Sequence, residues 1–314
     1  MLDVRTRFQQ SEAFEADVVV GLGQVPKTLP SRWLYDDRGS ELFEDITKLD
    51  EYYPTRTETA IMQKHSAAMA AFCGPNVTLL EYGAGAGIKT EILVSALRKP
   101  RLYVPIDIAG DFLDQTASRF RWRFPHLPTK PIVADFTASF TLPNWVPAGA
   151  RVAFFPGSTI GNLDSGEVAT FLQRMRRHVG AGGKAIIGVD MKKDLDVLLH
   201  AYDDREGVTA AFNLNLLARI NRELDADFVI EQFNHSARWN EAESAVEMHL
   251  VSGLAQTATV SGHSFDFDAG ESIHTESSRK YDVPGFTALA NANGWQVDRI
   301  WNDERNYFSI FGLS

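Results

Sequence analysis

Residues 78–93 read TLLEYGAGAGIKTEIL, and the fold follows from that stretch. With Val77 in front, Leu79 and Leu80 make the short apolar run that a buried parallel strand needs. Gly83, Gly85 and Gly87 then alternate, and residues 89–97 follow with apolar side chains at helical spacing. Strand, glycine turn and helix together are the βα unit that binds nucleotide-like ligands. Glycine belongs there because the chain must turn tightly and lie close to a ligand with no Cβ between them.

A dinucleotide fingerprint wants glycine at its sixth position, and that position is Ile88. The pattern is therefore G-x-G-x-G, which suits an S-adenosylmethionine (SAM) site better than a pyrophosphate site. SAM carries no phosphate, so the helix N-terminus need not be bared to an anion. Residues 102–108 (LYVPIDI) read as a second strand ending at Asp107, placed where a ribose-binding carboxylate belongs. Residues 131–136 (PIVADF) read as a third strand ending in Asp135 and Phe136. An acid followed by an aromatic can hydrogen-bond an adenine edge and pack on its face. The plainer reading of each acid is a solvated strand end, which serves poorly as a joint account of three such ends.

At 314 residues the chain exceeds the usual size of one domain, so one large or two unequal domains are expected. Hydrophobic residues make up 44% and charged residues 23%, enough for a sizeable core. A net charge of −10 argues against nucleic acid as a partner, because phosphate binding needs a basic face. The best local basic patch, residues 119–123, reads more simply as one wet side of a helix. A single cysteine, Cys73, leaves no intramolecular disulfide and suits a buried structural thiol. The first eighteen residues lack a signal peptide's apolar core, and no apolar run approaches transmembrane length. A cytoplasmic protein without membrane contact is expected.

Residues 1–30 are mixed, with 21–30 (GLGQVPKTLP) as a loop. Ser40 is placed to N-cap a short helix bearing Leu42, Phe43 and Ile46. Residues 58–72 read as an amphipathic helix. Residues 151–156 (RVAFFP) are the fourth strand, running into the polar turn GSTIGNLD at the edge where open α/β sheets bind ligands. Asn162 in that turn is a ligand candidate or an ordinary Asx-turn residue. A helix over 167–179 and a fifth strand over 184–190 follow. Residues 195–227 read as mostly helical, and 228–273 switches to the alternation of several antiparallel strands. That stretch is too long for a connection, so it belongs to a second domain or large insertion. A helix over 284–293 and strands over 295–301 and 307–313 close the chain. The eight histidines form no metal-ligand spacing, so no metal is expected, and no G-x-S-x-G elbow or P-loop occurs.

The blocks LYDDRGSELFEDITKLDEYYPTRTE, EYGAGAGIKTEIL, FFPGSTIGNLD, AYDDREGVTAAFN, NRELDADF and HTESSRKY resemble the histidine-specific SAM-dependent methyltransferase family, over nearly the whole chain. The resemblance implies an α/β fold: a Rossmann-like SAM methyltransferase core with a seven-stranded sheet whose last strand is antiparallel, plus a second α+β substrate domain. The expected core is 57–192 and 281–314, and the expected substrate-binding domain is 1–56 and 193–280. The implied activity is trimethylation of the α-amino group of L-histidine to hercynine, the first step of ergothioneine biosynthesis, by a monomer with SAM as cofactor. Carried over by motif, SAM contacts fall on the turn of Gly83, Gly85 and Gly87 and on Lys89, Asp107, Asp135 and Phe136. Tyr35 is expected beside the amino group being methylated. Tyr52, Asn162 and Tyr202 are expected around the substrate carboxylate. Glu276 and Ser278 are expected to hold the imidazole, with Met248 lining the ring pocket. The glycine loop departs from the Ser/Thr-rich version of some family members.

Three other readings compete. A methyltransferase of the same fold acting on another amino acid or small amine would not need a carboxylate at Glu276. A nicotinamide-dependent oxidoreductase would want glycine in place of Ile88. A noncatalytic SAM-binding protein would not need the polar pocket residues.

Overall fold

The computed structural model describes residues 4–314, with the side chains of 4–10 and of residue 111 outside the description. Residues 1–3 of the mixed N-terminal segment lie outside the described residues. The chain divides into two compact units. The first is formed by Pro54–Lys192 and Lys280–Ser314, the second by the segment up to Tyr53 and by Lys193–Arg279.

The chain opens, in the second unit, with α1 (Val4–Leu22), β1 (Lys27–Thr28) and α2 (Asp37–Ile46). The first unit follows with α3 (Tyr53–Cys73), β2 (Thr78–Tyr82), α4 (Ile88–Ala96), β3 (Leu102–Asp107), α5 (Gly110–Arg123), β4 (Ile132–Val133), β5 (Arg151–Phe155), α6 (Ser165–Val179) and β6 (Lys184–Asp190). The second unit resumes with α7 (Leu195–His200), α8 (Val208–Glu223), β7 (Phe233–Asn240), β8 (Ala245–Ser252), β9 (Gln256–Val260), β10 (His263–Phe267) and β11 (Ser272–Arg279). The first unit ends with α9 (Val283–Ala292), β12 (Val297–Asn302) and β13 (Phe308–Leu313).

In the first unit seven strands form one sheet in the order β12-β13-β6-β5-β2-β3-β4. β2 through β6 are parallel, while β13 runs antiparallel to β6. All five residues of β2 are buried, which explains the unbroken apolar run of a central strand covered on both faces. Period-two alternation sends Leu79, Tyr103, Phe154 and Ile186 into one apolar layer and Leu80, Val104, Phe155 and Ile187 into the other. β2 pairs with β3 on one side and β5 on the other, so the chain turns in opposite directions from this strand. Open sheets leave a ligand crevice at such a point. The register sets Tyr82 beside Ile106 and closes Gly83 N–H onto the Ile106 carbonyl at 2.8 Å, which brings the glycine turn next to Asp107.

In the second unit a four-stranded sheet runs β1-β11-β8-β7, with β1 parallel to β11 and the other pairs antiparallel; β9 and β10 form a separate hairpin. No helix among the described residues is long and apolar enough to cross a membrane.

Several local expectations change. The N-terminal segment is helical: Phe14, Val18 and Leu22, four residues apart, bury one face of α1. Ser40 does not cap α2. Asp36 does, its Oδ1 accepting from Gly39 N–H at 2.7 Å, and Ser40 lies inside the helix with its N–H on the Asp36 carbonyl. An ionised carboxylate at the helix start, one turn earlier, takes the orphan donors first. The third strand shrinks to Ile132–Val133, so Asp135 and Phe136 sit in the loop beyond it. The helical run 195–227 breaks between α7 and α8, where the Asp204 carboxylate accepts from Val208 and Thr209 N–H at 3.0 and 2.7 Å. Cys73 ends α3 as a buried thiol.

Candidate active site

In the first unit, Gly83, Gly85 and Gly87 all have positive φ, at 66°, 46° and 64°. Gly87 has a second reason to be glycine: a Cβ there would lie 2.7 Å from the Phe120 ring. A Cβ at Gly85 would meet nothing within 4 Å, so the backbone there faces open space. Asp107 is held beside this turn, its Oδ2 accepting from Gly85 N–H at 3.2 Å and its Oδ1 from Ala109 N–H at 3.0 Å. Burial pushes its carboxyl above the usual carboxylate range, against the pull of those backbone donors. Each oxygen keeps a further lone pair for a ligand hydroxyl.

Phe136 rests edge-on against Phe155, 5.5 Å between centroids, and packs against Phe171, and a Cβ at Gly83 would lie 3.4 Å from its ring. Asp135 turns Oδ1 onto Thr137, accepting from its N–H at 2.8 Å and its hydroxyl at 2.5 Å. Arg174 donates to the Phe136 and Thr137 carbonyls, fixing this loop. Asn162 ends the short 3-10 turn Thr159–Asn162 after β5, half-buried.

Four charged side chains of this unit escaped the sequence reading. Glu58 is 1% exposed; it lies 2.5 Å from the Lys89 ammonium and accepts from Gly157 N–H at 2.8 and 3.0 Å. A Cβ at Gly188 would lie 2.0 Å from Glu58 Oε1, so glycine in β6 makes room for this carboxylate. Glu81, in β2 itself, receives the hydroxyls of Thr90 and Tyr103. Asp190 and Lys280 form an ion pair at 2.8 Å with both side chains fully buried, and Ser158 Oγ accepts from Asp190 N–H at 2.9 Å. The only signal for Glu58 and Lys280 was their position inside the quoted motif blocks. A glutamate within an apolar strand was the signal for Glu81.

The turn, the ribose-type carboxylate, an aromatic face and a cation thus line one sheet edge. That donor set fits SAM: Asp107 for a diol, Phe136 for a ring face, Lys89 for a carboxylate. Glu58 already neutralises Lys89 in part, so the ammonium would be shared between two carboxylates.

In the second unit, Tyr35 stands edge-on between Phe43 and Phe212, with centroids 5.6 and 5.4 Å away. Tyr52 continues the row against Phe43 and against Tyr202, at 6.1 and 6.2 Å. The Tyr202 hydroxyl donates to Ser278 Oγ at 2.7 Å. Glu276 lies directly across from Met248 in the β11–β8 pair, and Glu276, Ser278 and Met248 are all buried. The structure therefore brings Tyr35, Tyr52, Tyr202 and Ser278 into one aromatic and hydroxyl row and pairs Glu276 with Met248. Asn162 belongs to the first unit and the other six substrate candidates to the second.

A family model described as "Histidine-specific methyltransferase, SAM-dependent" matches residues 14–314. The chain is 42% identical over 304 residues to histidine N-alpha-methyltransferase from Mycobacterium tuberculosis, covering 95% of this chain and 94% of the relative. It is 38% identical over 306 residues to the protein of the same name from Mycolicibacterium smegmatis, covering 96% and 94%. The solved CcbJ methyltransferase from Streptomyces caelestis aligns with a TM-score of 0.47 at 11% identity, covering 81% of this chain and 94% of that one. With glycine turn, sheet order and a match along nearly its full length in agreement, the chain belongs to the SAM-dependent histidine-specific methyltransferase family.

Proposed function

We propose that this protein transfers three methyl groups in turn to the α-amino nitrogen of L-histidine, giving hercynine, the first step of ergothioneine biosynthesis. The observation that supports the substrate most directly is the buried set of Glu276, Ser278 and Met248. A neutral imidazole offers one donor and one acceptor nitrogen. A carboxylate takes the donor, a serine hydroxyl serves the acceptor, and the methionine packs on the ring face. The Tyr202 hydroxyl donates to Ser278 Oγ and so helps to orient the serine.

SAM supplies an electrophilic methyl group on a sulfonium. The chain's task is alignment, since methyl transfer is an in-line displacement. The attacking nitrogen must be unprotonated, whereas a free amino group near neutral pH is largely ammonium. The aromatic row around Tyr35 lowers local polarity and favours the neutral amine. Tyr35 orients that nitrogen through its hydroxyl while demanding no particular N–H, so the same position accepts an amine with zero, one or two methyls. Asp107 and the glycine turn hold the donor, with Lys89, Asp135 and Phe136 completing the cofactor contacts. Tyr52, Asn162 and Tyr202 serve the substrate carboxylate.

Mass spectrometry of a reaction with excess SAM tests this reading. The expected product at long times is trimethylhistidine, with three SAM consumed per histidine. An end product that stays monomethylated, or a preference for another amino acid over histidine, refutes it.

A further inference from the structure

β11 does not keep a plain two-residue alternation. Its register against β8 shifts between His274, which faces His249, and Glu276, which faces Met248, so Thr275 is an extra residue in a β-bulge. Ahead of the bulge Ile273 is buried; after it Glu276 and Ser278 are buried. Without the extra residue, period two would put Glu276 on the face of His274 instead. The bulge alone therefore sends the Glu276–Ser278 pair to the side of Met248.

What holds the bulge is a set of hydrogen bonds that starts at the buried Thr275 and Asn213 and ends at the half-buried His235. The Thr275 hydroxyl lies 2.7 Å from Asn213 Oδ1 and 3.0 Å from the Met248 carbonyl. Asn213, 0% exposed in α8, sends its amide N–H groups to the His249 carbonyl at 3.2 Å and to His235 Nδ1 at 3.0 Å. His235 Nε2–H donates to the Tyr202 carbonyl at 2.7 Å. The donors assign every member: Nδ1 of His235 accepts, so the ring is neutral, and Asn213 cannot flip without opposing two acceptors at once. Burial also pushes His235 below its usual value, while the Tyr202 carbonyl and the carboxylates of Asp203 and Asp204 pull the other way.

On the reading that Glu276, Ser278 and Met248 receive the imidazole, we propose that Thr275, Asn213 and His235 are positioning residues that set histidine specificity, locking the β11 bulge to α8 and to the Tyr202 turn. The set touches the backbone of Met248 and of Tyr202 and fixes the parity of Glu276 and Ser278, yet it needs no contact with substrate.

Two isosteric changes separate this role from packing. Thr275→Val keeps the shape and removes the hydroxyl; Thr275→Ser keeps the hydroxyl. Thr275→Val is expected to raise KM for histidine about tenfold, with kcat within about threefold and the SAM dissociation constant within about twofold of wild type. Thr275→Ser is expected to stay within about threefold of wild-type KM. Asn213→Ala should act in the same direction and narrow the discrimination against phenylalanine; if it is not recovered folded, the Thr275 pair decides. Wild-type KM in Thr275→Val, or a Thr275→Ser as impaired as the valine variant, overturns the proposal. A wild type that binds SAM without methylating histidine overturns the functional reading itself and the specificity role with it, an outcome distinct from unchanged variants of an active enzyme.

Discussion

At Asp107 a single carboxylate closes the glycine turn through Gly85 N–H and, on the proposed reading, presents its remaining lone pairs to a ligand diol. Asp107→Ala removes charge-assisted hydrogen bonds worth roughly 1.5–3 kcal/mol, so SAM affinity should fall at least about tenfold. Calorimetry that finds unchanged SAM binding would remove Asp107 from the cofactor site. On the proposed reading, Glu276 carries the corresponding weight for the substrate. Sites built to hydrogen-bond a substrate group reject analogues lacking it by about 10⁴-fold. Glu276→Ala should therefore cost roughly 2–4 kcal/mol in kcat/KM for histidine and admit larger aromatic amino acids. Wild-type kcat/KM in that variant would mean the imidazole is held elsewhere. Cys73 stands outside this chemistry: burial pushes its thiol up to about 12. It should resist alkylation at pH 8 in the folded protein and react once urea unfolds it; labelling of the folded protein at the unfolded rate would contradict that.

The β2–α4 turn is the element on which the proposed cofactor contacts depend. Gly87 combines a left-handed φ of 64° with a Phe120 ring 2.7 Å from where a Cβ would stand. Gly87→Ala should destabilise the protein by about 1–2 kcal/mol from the backbone alone, more if Phe120 cannot shift. Urea unfolding would show this as a lower midpoint at unchanged slope. A midpoint equal to wild type would mean the turn relaxes freely. The β11 bulge is the corresponding element for the proposed imidazole contacts. In both, one residue's backbone geometry decides where several side chains point.

Across the whole molecule, burial of polar groups leaves a mark on stability. Burial pushes the Glu81 carboxyl up to about 8, against the hydroxyls of Thr90 and Tyr103, while its ordinary value is 4.5. A raised carboxyl is protonated in the folded chain at pH values where the unfolded chain has released the proton. Its stabilising contribution is therefore full below about 4.5 and is lost as pH rises through about 8. Glu81→Gln cannot ionise, so relative to wild type it should gain stability between pH 5 and pH 9; parallel Tm-against-pH curves for the two proteins would refute this. The strands and the apolar runs around Glu81 rest on patterns visible in the chain itself. Residues 102–108 and 184–190 read as strands, and strands run over Leu102–Asp107 and Lys184–Asp190, because hydrophobic runs and glycine punctuation act within a few neighbours. The motif blocks likewise marked the family by local residue identity. Local pattern misjudged the cap of α2, where Asp36 competes with Ser40 for the same donors, and the helical N-terminus, whose buried stripe of Phe14, Val18 and Leu22 is spaced among polar residues. Only the tertiary structure decided that Glu58 meets Gly157 across 99 residues, and that Thr275 meets Asn213 across 62. Those partners are set by sheet register and by one extra residue in a strand, and register depends on which strands pair, a nonlocal choice that no short window of sequence contains.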